Sequence, residues 1–170
     1  MPEKDAFTEV YLTYSDKIFR FLYWQTRDPY LAEDLTSEVF LRAWQSWSRF
    51  DGNHLQAWLY RIAKNLLVDH WRKRQPVPLD AVPEPAYDAR LAERLAQDHE
   101  IEQVSRALAS LPEKMRTVVT LRFLEDWSCR EVAELLGTSE GHVRVLQYRA
   151  LRKLREVLEH GKHGTPKTGA

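Results

Sequence analysis

The sequence predicts an all-α protein of two small domains, an N-terminal helical bundle and a C-terminal helix-turn-helix, joined by a proline-rich acidic linker. Three observations carry this reading. Apolar residues recur at steps of three and four on both sides of residues 75–86, the period of one helix face. Glycine is scarce, at 6 of 170 residues, and β-branched residues run together only at 117–120, which favours helices over strands. The stretch 75–86, QPVPLDAVPEPA, holds four prolines and no helical period. Proline removes a backbone donor and fixes φ, so this reads as a linker. The expected division is a first domain over 1–75, a linker over 76–100, a second domain over 101–160 and a disordered tail over 161–170.

The elements follow in order. Phe7, Val10, Tyr11, Tyr14, Ile18, Phe21 and Leu22 mark the inner face of a first helix. Asp28 before Pro29 is a helix start: an N-cap acceptor, then proline at the first position. Leu31, Leu35, Val39 and Leu41 to Trp44 continue that helix. Asn53-His54-Leu55-Gln56 reads as a capping box. It opens a third helix with Leu55, Trp58, Leu59, Ile62, Leu66, Leu67 and His70 near one side. A helical pattern resumes over 87–110. Ser110-Leu-Pro-Glu113 is a second capping box, and its helix uses Met115, Val118, Val119, Leu121 and Leu124. Ser128-Cys-Arg-Glu131 is a third, opening a short helix that Gly137 stops. Thr138 or Ser139 caps the last helix, which runs to about Leu158 with Val143, Leu146, Leu151, Leu154 and Val157 inward. A short helix, a tight turn containing glycine and a longer helix make a helix-turn-helix.

Bulk charge says nothing about nucleic acid, because 25 basic residues balance 25 acidic ones. Local segregation does. From 139 to 160 five basic residues face three acids, a balance of +2. The first turns of that helix offer Ser139, Glu140, Gly141, His142, Arg144, Val145 and Tyr148, with Arg149 and Arg152 further along. Arginine pairs bidentately with guanine, and arginine and lysine neutralise phosphates. Between 57 and 76, Arg61, Lys64, Arg72, Lys73 and Arg74 oppose Asp69 alone, a balance of +4, with Trp58, Tyr60, His70 and Trp71 interleaved. A basic surface with aromatics suits unstacked single strands; the rings are read as core packing and the basic groups as the DNA face. Between 28 and 44 the balance is −3, with Asp28, Glu33, Asp34 and Glu38 against Arg42. That segment is either a solvated helix or a docking helix for a basic protein partner.

The stretches AEDLTSEVFLRAW (32–44), AWLYRIAKNLLVDHWRKR (57–74) and LPEKMRTVVTLRFLEDWSCREVAELLGTSEGHVRVLQYRALRKLR (111–155) resemble the extracytoplasmic-function (ECF) group of sigma-70 family RNA polymerase sigma factors, in order and across nearly the whole chain. The resemblance implies an alternative sigma factor that binds polymerase core and directs promoter-specific initiation. It implies that Asp34, Leu35, Glu38, Val39 and Arg42 lie on the helix that grips the β′ clamp, with the β flap as a second polymerase contact. The loop 47–54 and the helix after it would read and open the −10 element. Phe50, Asn53, Tyr60 and Asn65 would line a pocket for a flipped base, with His54 also on the −10 DNA and Arg61, Lys64, Arg72 and Lys73 on phosphates. The helix from Ser139 would read the −35 element. The acidic linker, −5 over 80–102, would thread toward the polymerase cleft. An anti-sigma factor is the expected regulatory partner. The chain departs from a common Gly-Thr-Val-Lys-Ser-Arg run, having Gly141-His142-Val143-Arg144-Val145-Leu146.

Rival readings explain less. A repressor or activator would account for 111–158 but leave the acidic and basic-aromatic helices without a job. For an enzyme, no HExxH, P-loop or GxGxxG occurs, and His54 and His70 stand sixteen apart. No catalysis, metal or cofactor is expected. One cysteine, Cys129, allows no disulfide framework, and an inert thiol is its plainer reading. The N-terminus MPEKDAFTEV has no apolar run, and no stretch nears the ~20 apolar residues of a membrane span, so a cytoplasmic protein is expected.

Overall fold

The computed structural model describes residues 2–73 and 98–163, with side chains over 4–73 and 98–160. Residues 74–97, which include most of the linker expected over 76–100, and most of the tail therefore lie outside the described residues. The chain forms two compact units, Met1–Gln97 and Asp98–Ala170. Every described element is helical.

The first unit contains α1 (Pro2–Thr26), α2 (Pro29–Gln45), a 3-10 turn (Trp47–Arg49) and α3 (Leu55–Arg72). The three helices pack on one another. Ile18, Phe21 and Leu22 of α1 meet Val39 and Phe40 of α2 and Leu59 and Tyr60 of α3 in the core, all buried. Each such side chain contributes about 1.5–3 kcal/mol, against about 1 kcal/mol for a good cap. The stripe therefore sets the fold and the caps set the boundaries. Tyr11, expected inward, is 47% exposed, although its ring still meets Phe40 edge-on at 5.0 Å.

Asp28 caps α2 as expected: its Oδ1 accepts from the Tyr30 and Leu31 amides at 3.0 and 3.2 Å. The capping box expected at Asn53–Gln56 is absent. His54 is the N-cap of α3, in the left-handed region at φ 56°, and makes no side-chain cap bond. The turn is instead closed one step earlier, where Asp51 Oδ1 accepts from the Asn53 amide at 2.8 Å and Gly52 takes φ 85°.

The second unit contains α4 (His99–Ala109), α5 (Glu113–Val119), a π-helical turn (Thr120–Leu124), α6 (Cys129–Leu136) and α7 (Glu140–His163). The helix α4 starts at His99, capped by Asp98. The box expected at Ser110–Glu113 does not form: Pro112 is the N-cap, and Ser110 Oγ turns back to donate to the Ala107 carbonyl at 2.6 Å. Leu124, expected inward, is 43% exposed. The π-helical turn adds a residue to the helical circuit and rotates its exit, so Leu121 stays in the core while Leu124 leaves it. Half-buried Arg116 ties the α4–α5 connection through Nη2 to the Leu111 carbonyl at 3.3 Å. Burial pulls its pKa below the ordinary arginine value, and Glu113 pushes it partly back.

Candidate nucleic-acid interface

In the second unit the local sequence builds the motif it predicts. Ser128 caps α6: its Oγ accepts from the Glu131 amide at 3.1 Å and Glu131 Oε1 accepts from the Ser128 amide at 3.2 Å. Gly137 ends α6 at φ 66°, where a Cβ would be strained. Of the two candidate caps for α7, Ser139 acts, its Oγ accepting from the His142 amide at 3.1 Å. Val143, Leu146 and Ala150 are buried, so Leu146 belongs to the core. Leu151 does not; it is 41% exposed, and Leu154 and Val157 are half-buried.

That inward stripe fixes what α7 shows to solvent. Ser139, Glu140, Gly141, His142, Arg144, Val145, Tyr148, Arg149 and Arg152 are all exposed. Arg144 lies 3.4 Å from Glu140 in an open i,i+4 pair, which is weak in water and exchangeable for a phosphate or a base edge. Tyr148 is 66% exposed on the same face, a large ring available to stack.

The first unit supplies a second basic strip. Arg61, Asn65, Arg72 and Lys73 are exposed along α3, and Lys64 is half-buried beside them. Asp69 pairs with Arg72 at 3.1 Å and takes up part of that charge. Val68, at 43% exposure, sits among them; its spacing of seven from Arg61 could have revealed it. Asn53 and His54 project from the loop before α3, both exposed.

Two residues expected around a base pocket have other places. Tyr60 is fully buried, its ring 5.1 Å from Phe21, so it lines no surface. Half-buried Phe50 stacks on Trp58 at 4.5 Å and 27° and on Trp47 at 5.6 Å and 22°. Phe7 of α1 meets Trp47 edge-on at 5.4 Å. This ring cluster mounts the loop on α1 and α3, and each pair adds about 0.5–1.5 kcal/mol beyond area burial.

On α2, Leu35 and Val39 are 8% and 0% exposed. They serve the core and not a docking strip. Asp34 and Arg42 are exposed and Glu38 is half-buried, with Glu38 and Arg42 paired at 3.4 Å. The apolar groups actually beside the acids are Tyr30, Leu41 and Trp44, exposed by 42, 52 and 46%. The steps of four and seven from Asp34 to Tyr30 and Leu41 carried that signal in the sequence.

Among the described residues, no group of three His, Cys, Asp or Glu could hold a metal ion, and no helix is long and apolar enough to cross a membrane. Half-buried Cys129 has its Sγ 3.9 Å from Gln147 Oε1.

Comparison with known proteins matches the two units in turn. The Sigma-70 region 2 model matches residues 10–77 and the Sigma-70, region 4 model residues 107–156. The ECF RNA polymerase sigma factor BldN of Streptomyces coelicolor is 38% identical over 163 residues, which cover 92% of this chain and 61% of BldN. The ECF RNA polymerase sigma factor SigX of Bacillus subtilis is 32% identical, with 92% of this chain and 85% of SigX covered. Among solved structures, the sigma factor RpoE in complex with the anti-sigma factor NepR from Bartonella quintana has a similar fold, with TM-score 0.72 and 22% identity over 91% of this chain and 97% of that one. CnrH in complex with the cytosolic domain of CnrY gives TM-score 0.70 and 25% identity, over 92% and 90% of the two chains.

Proposed function

The chain belongs to the ECF RNA polymerase sigma factors of the sigma-70 family, and from that premise we propose how its exposed surfaces divide promoter-specific initiation among them. The observation that carries the proposal is the presence of two separate basic helix faces in one chain, one on each unit. A repressor needs only one. In this reading α7 captures the −35 element in the major groove through Arg144, Val145 and Tyr148, with Arg149 and Arg152 on phosphates. The strip on α3 holds the backbone of the opened −10 strand through Arg61, Lys64, Arg72 and Lys73, while Asn53, His54 and Asn65 meet its unstacked bases. Phe50 acts by mounting the loop.

Polymerase core docks on α2 and touches the second unit through its β flap. The contact on α2 consists of Asp34, Glu38 and Arg42 around the exposed Tyr30, Leu41 and Trp44, which suits a basic, partly apolar helix of the β′ clamp. An anti-sigma factor would compete for these surfaces; the complexes of RpoE with NepR and of CnrH with CnrY support that idea by likeness. The protein itself catalyses no step, carries no cofactor and works in the cytoplasm beside polymerase. The second unit begins at Asp98, which caps α4, three residues before the expected 101, and α7 runs to His163, past the expected end at 160.

The test is core association. Asp34→Lys with Glu38→Lys should abolish capture of polymerase core while leaving −35 duplex binding by α7 intact. Normal capture would remove α2 as the docking surface and place core binding on another face of the chain.

A further inference from the structure

The π-helical turn is joined to α7 by a side-chain contact outside the apolar core. Arg122 sits in the π-helical turn and is half-buried. Its Nε donates to Gln147 Oε1 of α7 at 3.0 Å, and its Nη1 donates to the Trp127 carbonyl at 2.6 Å. Trp127 is buried in the loop that leads into α6. The Cys129 thiol of α6 approaches the same Gln147 oxygen at 3.9 Å. One guanidinium thus ties together the segment before the motif, the loop into its first helix and the flank of its second helix. A hydrogen bond from a charged donor is worth about twice a neutral one, and here the fork fixes direction as well.

The position of Gln147 gives the tie its consequence. It is half-buried at the edge of the stripe formed by Val143, Leu146 and Ala150. It also lies three residues after Arg144, on the same side of the helix. The inward stripe is apolar and non-directional, so it tolerates some roll of α7 about its own axis. A directed bond at the flank does not. A roll of a few tens of degrees would carry Arg144 and Tyr148 across a base-pair step. We infer that Arg122 is a positioning residue for promoter recognition: acting through Gln147, it sets the rotation at which α7 presents Arg144, Val145 and Tyr148. The inference rests on the reading that this face of α7 meets the −35 element.

The test uses the full chain with polymerase core on templates randomised across the −35 element, read as binding strength and as base preference at each position. Gln147→Leu removes the acceptor on α7 and keeps the Arg122–Trp127 bond. It should weaken binding to the preferred element about tenfold, the scale of one lost charge-assisted bond, and should change the preferred bases. Loss of folded protein would instead weaken all sequences alike, and melting followed by circular dichroism separates the two. Arg122→Met should give the same changed preference and add nothing in a Gln147→Leu background, whereas Arg122→Lys should recover part of the preference. Should Arg122→Met fail to fold, Arg122→Lys takes its place in the cycle with Gln147→Leu. Effects of the two sites that multiply, or an unchanged preference in both single variants, would overturn the inference. Arg144→Ala separates the layers. If it weakens binding while the Arg122 and Gln147 variants do not, only the positioning role fails. If Arg144→Ala is also inert, the reading of α7 fails and takes this inference with it.

Discussion

Both units present arginines along an exposed helix face, yet they reach that arrangement by different means. In the second unit the geometry is local. Ser128, Glu131, Gly137 and Ser139 stand within twelve residues and fix the turn by caps and one left-handed glycine. In the first unit the helix that carries the basic strip has no side-chain bond from its N-cap, and the loop before it holds a single one, from Asp51 to the Asn53 amide. That loop is held mainly by rings from α1, from the loop and from α3: Phe7 meets Trp47, and Trp47, Phe50 and Trp58 meet one another. A reading surface mounted on packing should respond to cavities, and one mounted on caps should respond to the loss of single hydrogen bonds.

The largest effect should therefore come from Trp58→Ala. Removing a ring from a three-way stack should lower the stability of the first unit by about 3 kcal/mol, seen as an earlier thermal transition of that unit with the second unit's transition unmoved. Next is Arg144→Ala, which should cost −35 recognition about 1–3 kcal/mol, some ten- to hundredfold, with core capture unchanged in a pull-down. Unaltered transcription from a −35-dependent promoter would mean that α7 reads DNA with another face.

What was legible in the sequence follows the same division. The apolar period placed α1, α2, α3 and α7, and the box at Ser128–Glu131 was readable because all its partners lie within four residues. The boxes read at Asn53–Gln56 and Ser110–Glu113 had the right residue types but the wrong backbone. Gly52 and His54 turn the chain left-handed at the first, and Pro112 takes the cap position at the second. Periodicity put Leu35 and Val39 on the apolar face while the family resemblance put them in a docking strip, and packing assigns them to the core. Leu41 and Trp44 were read with the apolar pattern of that helix, yet they are exposed by 52 and 46%. The mounting of Phe50 was not legible, since Phe7 lies more than forty residues away in the chain. The tie from Arg122 to Gln147 crosses 25 residues, and no local pattern announces it.

Smaller effects sharpen the contrast. Ser128→Ala should lower the stability of the second unit by about 1 kcal/mol, the cost of a lost N-cap, with the first unit's melting unmoved; an equal shift in both would deny their independence. Arg42→Ala removes an exposed i,i+4 pair with Glu38 and should change stability by less than about 0.5 kcal/mol. A loss of core capture in that variant would place its work in docking.

The most direct measurement is transcription by purified polymerase core, with and without this chain, from templates randomised over both promoter elements. Start sites should appear only when the chain is added, and the selected templates should share two conserved elements at one fixed spacing. Arg144→Ala should relax the upstream element and leave the downstream one as selected. Binding of the chain to DNA with no core-dependent start sites, or selection of a single element, would contradict a sigma factor that uses both units.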